Sequence, residues 1–266
     1  MEEIKIGVIG GTGIEKLPGV ENIEKIWVET EYGKIAVNTG TLSGKRIAFL
    51  TRHGENHSIS PSNINFRGNI RALQKLGVKQ VISTACSGSI NPEYREGCFV
   101  LLKQFLEFTK CRSASFFNND GKEERKIAHV DVTEPYCDRL GNYIIAAGKE
   151  MGLDVKSGAT YCCTEGPRYE SAAEINMFKV LGGDLVAHTQ YPEVVLAREA
   201  QMCYAAVGIV ANMAAGIAEE HVSSKELTDN MAKLFETTQK LLTKTVEMLP
   251  EEEDCWCQHA LEDAFI

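Results

Sequence analysis

Apolar and polar positions fall into short blocks along the chain, and these blocks predict strands and helices in alternation. Continuous apolar runs predict buried strands at 4–9, 80–83, 155–163, 184–187 and 204–210, with a further apolar segment at 98–108. Helical spacing and helix-ending residues predict helices at 65–76, 138–151, 174–180, from Pro192 onward, and at 224–249. A meander of strands is expected over 26–50, with a turn at Ser43-Gly44. The polar segment 109–128, with its charged KEERK run, is expected to be an exposed loop. This alternation is typical of an α/β fold.

The chain has 266 residues and no clear linker, which favours one domain. We predict one folded domain over residues 1–250 and an acidic C-terminal tail over 251–266. The net charge of −9 argues against nucleic acid as a partner, because a phosphate backbone needs a basic face. No apolar run approaches about 18 residues and no secretion signal is present, so we expect no membrane span and a cytoplasmic location.

The nine cysteines include no CxxC pair, so the sequence argues against a zinc site and we expect no metal. Most of them suit small buried apolar positions. Cys255-Trp256-Cys257 differs, because it lies in the acidic tail, where we expect exposure.

Two predicted strands are followed by residues that suit an anion. The first strand ends in the glycine-rich run 10–13, where backbone N–H groups and the Thr12 hydroxyl are donors. A plain tight turn explains the same run equally well. Arg52 and His53 follow the strand ending at Leu50, and a guanidinium matches the geometry of an oxyanion. Alone, this pair is also consistent with a surface ion pair and a loop histidine.

Later strands add polar residues at the same kind of position. Small and hydroxyl residues fill 84–89, His188 and Thr189 follow the strand 184–187, and Asn212 follows 204–210. Ligands of open α/β sheets bind beyond the carboxyl ends of strands. The coincidence of these segments therefore predicts one small-molecule site that contains an anion.

Taken together, the motifs resemble the family of trimeric purine nucleoside phosphorylases and 5′-methylthioadenosine phosphorylases. The resemblance covers roughly residues 4–249, and its carriers are IGVIGGTGI at 6–14, TRHGENHSISPSNINFRGNI at 51–70, STACSGSI at 83–90, HVDVTEPYC at 129–137, TEGPRYES at 164–171 and PEVVLAREA at 192–200. It implies a single α/β domain with a mixed, twisted central sheet flanked by helices.

The same resemblance implies reversible phosphorolysis. Inorganic phosphate attacks C1′ of a purine nucleoside, and the products are the free purine and ribose 1-phosphate or its 5-methylthio analogue. No metal or organic cofactor is implied, since phosphate is a co-substrate. His53 and Asn212 are the implied catalytic residues, and the implied phosphate ligands are Thr12, Arg52, His53, Thr84, Ala85 and Thr189. Fixed donors aimed at the charges of the transition state would lower the barrier.

The residues implied at the purine favour a 6-oxopurine. Family members that act on 6-aminopurines carry aspartate at the position of Asn212 and usually also at that of Ala214. An amide donates to O6 of hypoxanthine or guanine and pairs with N7, so Asn212 favours inosine, guanosine or methylthioinosine. A role of Asn212 as a strand-end cap is the alternative. Tyr169 matches the aromatic residue that packs against the purine.

Several positions depart from the family pattern. His188 replaces a methionine beside the sugar, where it either bonds the ribose hydroxyls or disturbs the pocket. Glu170 replaces a small hydroxyl residue, and the resemblance implies that it binds N1–H and N2–H of a 6-oxopurine. The STACSGS segment has one residue more than some members. Ser224 and Leu227 match positions beside the 5′ group, and the polar Ser224 favours a 5′-hydroxyl. His221 nearby could bond that hydroxyl, and the alternative is an ordinary surface histidine.

The resemblance also bears on assembly and on cysteine chemistry. His129 matches a residue that reaches a neighbour's sugar site, which implies a homo-oligomer, either a trimer or a dimer of trimers. Thermophilic relatives have a CxC disulfide near the C-terminus and one that matches Cys137–Cys203. Disulfides Cys137–Cys203 and Cys255–Cys257 are therefore a hypothesis for this chain.

The leading hypothesis is a 6-oxopurine nucleoside phosphorylase of purine salvage. Within the class, the alternative is methylthioinosine or methylthioadenosine phosphorylase. From another class, a non-catalytic purine-binding protein on the same fold would explain His188 and Glu170 as marks of lost catalysis. A nucleotide hydrolase is less favoured, because the sequence shows no carboxylate placed to activate water.

Overall fold

A computed structural model describes residues 3–11, 17–118, 127–218 and 222–266, apart from the side chains of Glu55 and Glu226. The strands in this part of the chain are β1 Ile6–Gly10, β2 Glu21–Thr30, β3 Gly33–Leu42, β4 Lys45–Thr51, β5 Gln80–Ser89, β6 Phe99–Phe108, β7 Val155–Thr164, β8 Leu185–Ala187 and β9 Cys203–Met213. The α-helices are α1 Phe66–Lys75, α2 Asp138–Glu150, α3 Ala172–Val180, α4 Glu193–Glu199 and α5 Ser224–Met248. Short 3₁₀ turns lie at Glu55–His57, Pro61–Asn63 and Trp256–His259.

All these strands belong to one mixed sheet in the order β2-β3-β4-β1-β5-β8-β7-β6-β9. Strand β9 also pairs with β5, so the strands β5, β8, β7, β6 and β9 close into a ring. Parallel and antiparallel pairs both occur, for example β1 with β4 and β6 with β9. The predicted α/β class with a mixed sheet flanked by helices is confirmed, and the ring closure is an addition that the strand pattern did not predict.

Helices cover both faces of the sheet, and this explains the continuous apolar strands. Strand β1 is buried along its whole length, as expected where parallel neighbours and helices enclose a strand. One apolar cluster includes Ile70 of α1 and Leu196 of α4, and another includes Ile144 of α2 and Leu242 of α5. Each buried aliphatic side chain of this kind contributes about 1.5–3 kcal/mol by leaving water.

Helix α1 shows how local sequence sets an element boundary. The Asn65 side chain accepts a hydrogen bond from the Gly68 N–H at 2.9 Å, which caps the first turn. Gly77, just after the helix, has a φ of 94°, the left-handed conformation that ends a helix at low cost in glycine. The predicted helix at 65–76 therefore differs from α1 only by its two capping residues.

Two predictions from composition were wrong. The small residues 84–89 are not a loop, because β5 continues through Ser89. The polar segment 109–128 is not uniformly exposed, since Phe116 is buried and the Arg112 side chain is only 2% exposed. Residues 119–126 lie outside the described residues. The proposed boundary between a domain at 1–250 and a tail at 251–266 stays a prediction.

The sheet places several strand ends at one edge. Strands β4, β1, β5 and β9 run parallel to one another, so their carboxyl ends point the same way. Strand β8 runs antiparallel to the end of β5, with Val186 opposite Gly88. The chain that leaves β8 therefore returns along β5 toward Thr84. Within the described ranges, no helix has the length and apolar character needed to cross a membrane.

Candidate active site

The residues predicted to bind phosphate lie where these strand ends meet. The main-chain N–H of Arg52 bonds the carbonyl of Gly10 at 3.0 Å and so joins the ends of β4 and β1. The Arg52 side chain reaches the carbonyl of Thr84 in β5 at 2.7 Å. The structure thus brings these strand ends together, with the buried residues Arg52, His53, Thr84, Ala85 and Thr189. Thr12 lies outside the described residues.

Arg52 is held by a carboxylate that the sequence analysis did not single out. Its Nε and Nη2 atoms donate to the two carboxylate oxygens of Glu193 at 3.0 and 2.7 Å, and both side chains are almost fully buried. Nη2 also donates to Ser83 Oγ at 2.6 Å. Burial opposes the guanidinium charge, but the attraction of Glu193 outweighs it and raises the pKa of Arg52. These bonds, with that to Thr84, use four of the five N–H donors of a guanidinium, so one on Nη1 is left.

Glu193 is itself fixed by further hydrogen bonds. Its Oε1 accepts from the Tyr204 hydroxyl at 2.6 Å and from Ser83 Oγ at 3.1 Å. The Tyr204 hydroxyl oxygen also lies 3.0 Å from Gln190 Oε1, but its single proton goes to the closer carboxylate. A buried charge pair of this kind needs its remaining donors and acceptors satisfied, and this network supplies them. The geometry therefore holds Arg52 in one position before any ligand arrives.

His53 is a neutral imidazole with a defined tautomer. Its Nδ1 lies 2.9 Å from the carbonyl oxygen of Ile59, and a carbonyl only accepts, so Nδ1 carries the proton. Burial lowers the pKa of His53 to about 4, and the nearby Arg52 and His57 act in the same direction. The His57 ring stacks on it with centroids 4.3 Å apart. Above that pKa, Nε2 is an acceptor, which suits a protonated oxygen of an oxyanion.

Asn212 carries an unused acceptor in the other half of the site. It lies in β9 opposite Gly88 of β5 and is 8% exposed. Its Nδ2 donates to the carbonyl of Met213 at 2.8 Å, while Oδ1 is buried and accepts no hydrogen bond from any described residue. An unsatisfied buried acceptor costs about 1–3 kcal/mol, so Oδ1 is suited to a donor from a ligand. Ala214 is buried beside Gly88, and its small side chain leaves no carboxylate there.

Glu170 and His188 share the hydroxyl of Thr164. The Thr164 Oγ1 donates to Glu170 Oε1 at 2.6 Å and lies 2.8 Å from His188 Nδ1. Because the only hydroxyl proton goes to the carboxylate, Nδ1 of His188 must be the donor in the second bond. Burial lowers the pKa of His188 despite the opposing pull of Glu170. His188 is therefore a neutral ring whose Nε2 accepts hydrogen bonds more strongly than the thioether of a methionine.

Tyr169 connects this loop to the start of α5. Its hydroxyl lies 2.9 Å from Ser224 Oγ, and Leu227 is half-buried one turn further along the helix. Ser224, expected beside the 5′ group, thus contacts Tyr169, expected against the purine. Among the described residues, no hydrogen bond or ion pair joins the exposed His129 side chain to these loops, and its main-chain N–H bonds Ala264 in the tail. His221 lies outside the described residues.

A second cluster lies apart from this site. The Sγ atoms of Cys137, Cys203, Cys255 and Cys257 all lie within 4.8 Å of one another, and Cys137 and Cys255 are 3.7 Å apart. All four thiols are free, so neither expected disulfide is formed in the structure. Hydrogen bonds from Cys203 and Cys257 and from the Leu140 N–H lower the pKa of Cys137. Four thiols so close also suit a tetrathiolate metal site, so the missing CxxC spacing does not argue against one.

Comparison with known proteins gives one consistent result. A model of the phosphorylase superfamily matches residues 5–247. The chain is 44% identical over 264 residues to the 6-oxopurine nucleoside phosphorylase of Pyrococcus furiosus, with 98% of each chain covered. It is 41% identical over 261 residues to a protein of Methanopyrus kandleri named a probable S-methyl-5′-thioinosine phosphorylase, again with 98% of each covered.

Solved structures agree on the fold. A methylthioadenosine phosphorylase sourced from an Antarctic soil metagenomic library superposes with a TM-score of 0.92 at 29% identity. That alignment covers 100% of this chain and 93% of the other. The single α/β domain described above is therefore the nucleoside phosphorylase fold.

Proposed function

Because the chain belongs to the phosphorylase superfamily, we propose that it is a purine nucleoside phosphorylase, a pentosyltransferase that cleaves 6-oxopurine nucleosides. Inosine or guanosine and inorganic phosphate would give the free purine and ribose 1-phosphate. The observation that carries this proposal is Asn212, whose buried Oδ1 lacks a donor. When the glycosidic bond breaks, its electron pair moves onto the purine, and N7 takes up a proton from solvent water. The resulting N7–H is the donor that Oδ1 lacks.

The purine edge would be recognised by an amide and a carboxylate. Asn212 Nδ2 has a second N–H besides the one given to Met213, and this N–H can donate to O6. Glu170 has one oxygen held by Thr164, and its other oxygen can accept from N1–H. Adenine has an amino group at C6 and no N1–H. Its amino group would face the Asn212 N–H, so two donors would meet. Its N1 acceptor would face the Glu170 carboxylate, so two acceptors would meet. Such mismatches leave buried polar groups unpaired, at about 1–3 kcal/mol each.

Phosphate would be bound mainly by hydrogen bonds rather than by an uncompensated positive charge. Arg52 is paired with Glu193, so it offers the one Nη1 hydrogen that its protein partners leave. His53 Nε2 would accept the proton of hydrogen phosphate, and the hydroxyls of Thr84 and Thr189 would add donors. The nucleophilic oxygen is thereby aimed at C1′, and such positioning is worth several kcal/mol of the barrier.

The sugar would lie between the phosphate and the purine. His188 is a neutral ring whose Nε2 accepts, so a ribose hydroxyl can donate to it. The start of α5 would bound the 5′ group, where the Tyr169–Ser224 hydrogen bond provides a polar wall. This wall favours a 5′-hydroxyl. A methylthioinosine phosphorylase is the second candidate, because relatives with that name are equally full-length matches and Leu227 offers an apolar contact.

Assembly, location and cofactor use extend the proposal. A trimer or a dimer of trimers would let His129 reach a neighbouring sugar site, which fits its exposed side chain. Light scattering that gives a monomer would contradict this. We propose no metal or organic cofactor in the reaction, because phosphate is the co-substrate and the residues above supply its contacts. A cytoplasmic location stays a prediction from the sequence.

The cysteine cluster supports a proposal about oxidation. In the oxidised protein, Cys137 would pair with Cys203 and Cys255 with Cys257, each pair giving two protons and two electrons to a thiol oxidant. Their Sγ atoms lie within 4.8 Å of one another, which brings both pairs near bonding distance. Peptide mass spectrometry without reduction should find these pairs. Stoichiometric zinc with four free thiols would contradict both the disulfides and the expectation of no metal.

The first experiment is an assay of inosine, adenosine, methylthioinosine and methylthioadenosine with and without phosphate, following free base by chromatography. Phosphate-dependent release from inosine, with little from the amino compounds, is expected. Preference for methylthioinosine would favour the second candidate. Purine binding without any release would favour the non-catalytic binding protein, and release without phosphate would favour a hydrolase.

A substitution separates base recognition from catalysis in general. Asn212→Asp replaces the donor to O6 by an acceptor and should shift the ratio of kcat/KM for adenosine over inosine upward by about 10-fold or more, since one reversed hydrogen bond is worth about 1–3 kcal/mol. Asn230→Asp is the control, because Asn230 bonds the Ala211 carbonyl from α5 and faces no purine in this proposal. An unchanged ratio in Asn212→Asp would refute the base-recognition argument.

A further inference from the structure

Arg112 connects two loops that carry different halves of the candidate site. It lies after β6 in a segment without regular secondary structure, yet its side chain is 2% exposed. One loop begins after Thr164, the last residue of β7, and carries Tyr169 and Glu170. The other follows β8 and carries His188 and Thr189. These loops belong to different strands, so their relative position depends on contacts between them.

The guanidinium of Arg112 reaches both loops. Nη1 donates to the carbonyls of His188 and Tyr191, each at 2.6 Å. Nη2 donates to the carbonyls of Thr164 and Glu165 at 3.2 and 2.8 Å. Nε donates to the Glu165 carboxylate at 3.2 Å. A guanidinium has five N–H donors, and each of the five has an oxygen acceptor within the protein.

Two further contacts fix Arg112 itself. The carboxylate of Glu165 accepts from the main-chain N–H groups of Lys110 and Cys111 at 2.5 and 3.2 Å, which fixes the segment that carries Arg112. The guanidinium also lies over the ring of Phe66, the first residue of α1, at 5.2 Å. The side chain is thus anchored to a helix as well as to the two loops.

The two loops also pack directly on each other. Gly166 has a φ of 66°, and a Cβ at this position would lie 2.9 Å from Cγ of the His188 ring. The fit leaves no room for either loop to shift toward the other. Arg112 prevents the opposite movement, because separation of the loops would break hydrogen bonds to one of them.

We propose that Arg112 is a positioning residue that sets the distance between the nucleoside-binding loop after β7 and the loop after β8 that carries Thr189. It touches no substrate, since all its donors bond the protein. The inference rests on the proposed function, because it assigns the two loops to nucleoside and phosphate. Its role is to keep C1′ and the attacking oxygen aligned.

The test compares Arg112→Lys and Arg112→Met with an arginine elsewhere. Lysine has three donors for five acceptors, so Arg112→Lys should lower kcat by about 10- to 100-fold, the scale of a misplacement near 1 Å. KM for phosphate should change less than about threefold, because Arg52 and His53 are unaffected. KM for inosine should rise by no more than about 10-fold, the effect expected from losing the bond between Thr164 and His188. Arg112→Met should lose more, and the lysine variant should retain part of the rate.

Arg71→Lys is the matched control. Arg71 also lies over a phenylalanine, Phe116, at 4.2 Å and pairs with Glu31 at 2.8 Å, but it bonds neither loop. Its kcat should equal that of the wild type. The rate is divided by the concentration of folded active sites. A variant that is merely less well folded would therefore show an unchanged kcat. An Arg112→Lys kcat within about twofold of wild type would overturn the proposal.

A crystal structure of Arg112→Lys gives an answer that does not depend on turnover. The hydrogen bond of 2.8 Å between Thr164 Oγ1 and His188 Nδ1 crosses from one loop to the other, and it should lengthen or break. Loops that keep their wild-type positions would overturn the proposal. The two proposals can also fail separately. If the loops are displaced in the variant but the wild type has no phosphorolytic activity, the role of Arg112 stands and the proposed function is refuted.

Discussion

The buried pair of Arg52 and Glu193 predicts a measurable loss of stability when Glu193 loses its charge. Glu193→Gln keeps the size of the side chain but removes its negative charge. The glutamine oxygen can still accept from one of the two guanidinium nitrogens, whereas its NH₂ group would face the other as a second donor. Arg52, which is 2% exposed, would then hold a buried positive charge without a counter-charge.

The expected loss of stability follows from this burial. Breaking a buried ion pair by removing one partner costs about 3–5 kcal/mol, because the remaining charge stays desolvated. The retained hydrogen bond places Glu193→Gln near the lower end of this range. Phosphate should offset part of the loss, since an anion beside Arg52 supplies the missing counter-charge. A ligand at 100 times its Kd adds about 2.7 kcal/mol to the free energy of unfolding.

The assay is equilibrium unfolding in urea at one protein concentration, with and without saturating phosphate. A fixed concentration is needed because association of subunits also stabilises a protein. Glu236→Gln is the control. Glu236 pairs with Lys240 on the exposed face of α5, where both side chains are more than half exposed, and we expect no measurable change.

Two results would refute this reasoning. A loss below about 1 kcal/mol without phosphate would mean that the pair is not desolvated as the structure describes it. A gap between wild type and variant that widens when phosphate is added would mean that Arg52 no longer faces the anion. The expected result is a gap that narrows.

Three further predictions concern the same site. Gly166→Ala places a Cβ against the His188 ring and should lower kcat/KM for inosine at least 10-fold. Gly182→Ala is the control: its φ is 84° but the space around it is open, so this substitution should reduce only the melting temperature. Thr164→Val removes the hydroxyl shared by two side chains and should raise KM for inosine about 10-fold, while an unchanged KM would contradict the role of this hydroxyl. His53 favours its neutral form in the folded state, so the unfolded chain binds more protons between pH 6.5 and about 4, and stability should fall as pH drops through this window. The melting temperature of His53→Gln, followed against pH, should lack this part of the decrease.

The sequence predicted the elements whose pattern is local. Helix α1 and its cap at Asn65, and the apolar strand β9 that carries Asn212, follow from periodicity and capping rules. The residues 84–89 were mistaken for a loop because they are small and polar and include glycine, which is depleted in strands generally. Here β9 pairs with all of them and β8 with the last two, and this pairing overrides the local preference.

Only those residues of the candidate site that directly follow predicted strands could be identified from the sequence. Arg52 and His53 follow a strand, which marks them from sequence alone. The partner of Arg52 is Glu193, 141 residues further along the chain, and no local pattern connects the two. Arg112 lies in a polar segment that composition marks as exposed, and its partners are main-chain carbonyls, which have no signature in the sequence. The binding and catalytic roles of the predicted residues stay predictions.

The closure of β5, β8, β7, β6 and β9 into a ring has a consequence for solubility. Within the described residues, β9 pairs with both β5 and β6 and is not a free border, whereas β2 at the other end of the sheet has a single neighbouring strand along its whole length. Strand β2 is mostly exposed and carries charges such as Glu24 and Glu29. Charged border strands resist edge-to-edge aggregation into open-ended fibrils. A second chain that tried to extend the sheet at β2 would therefore meet like charges and a border unsuited to further strands.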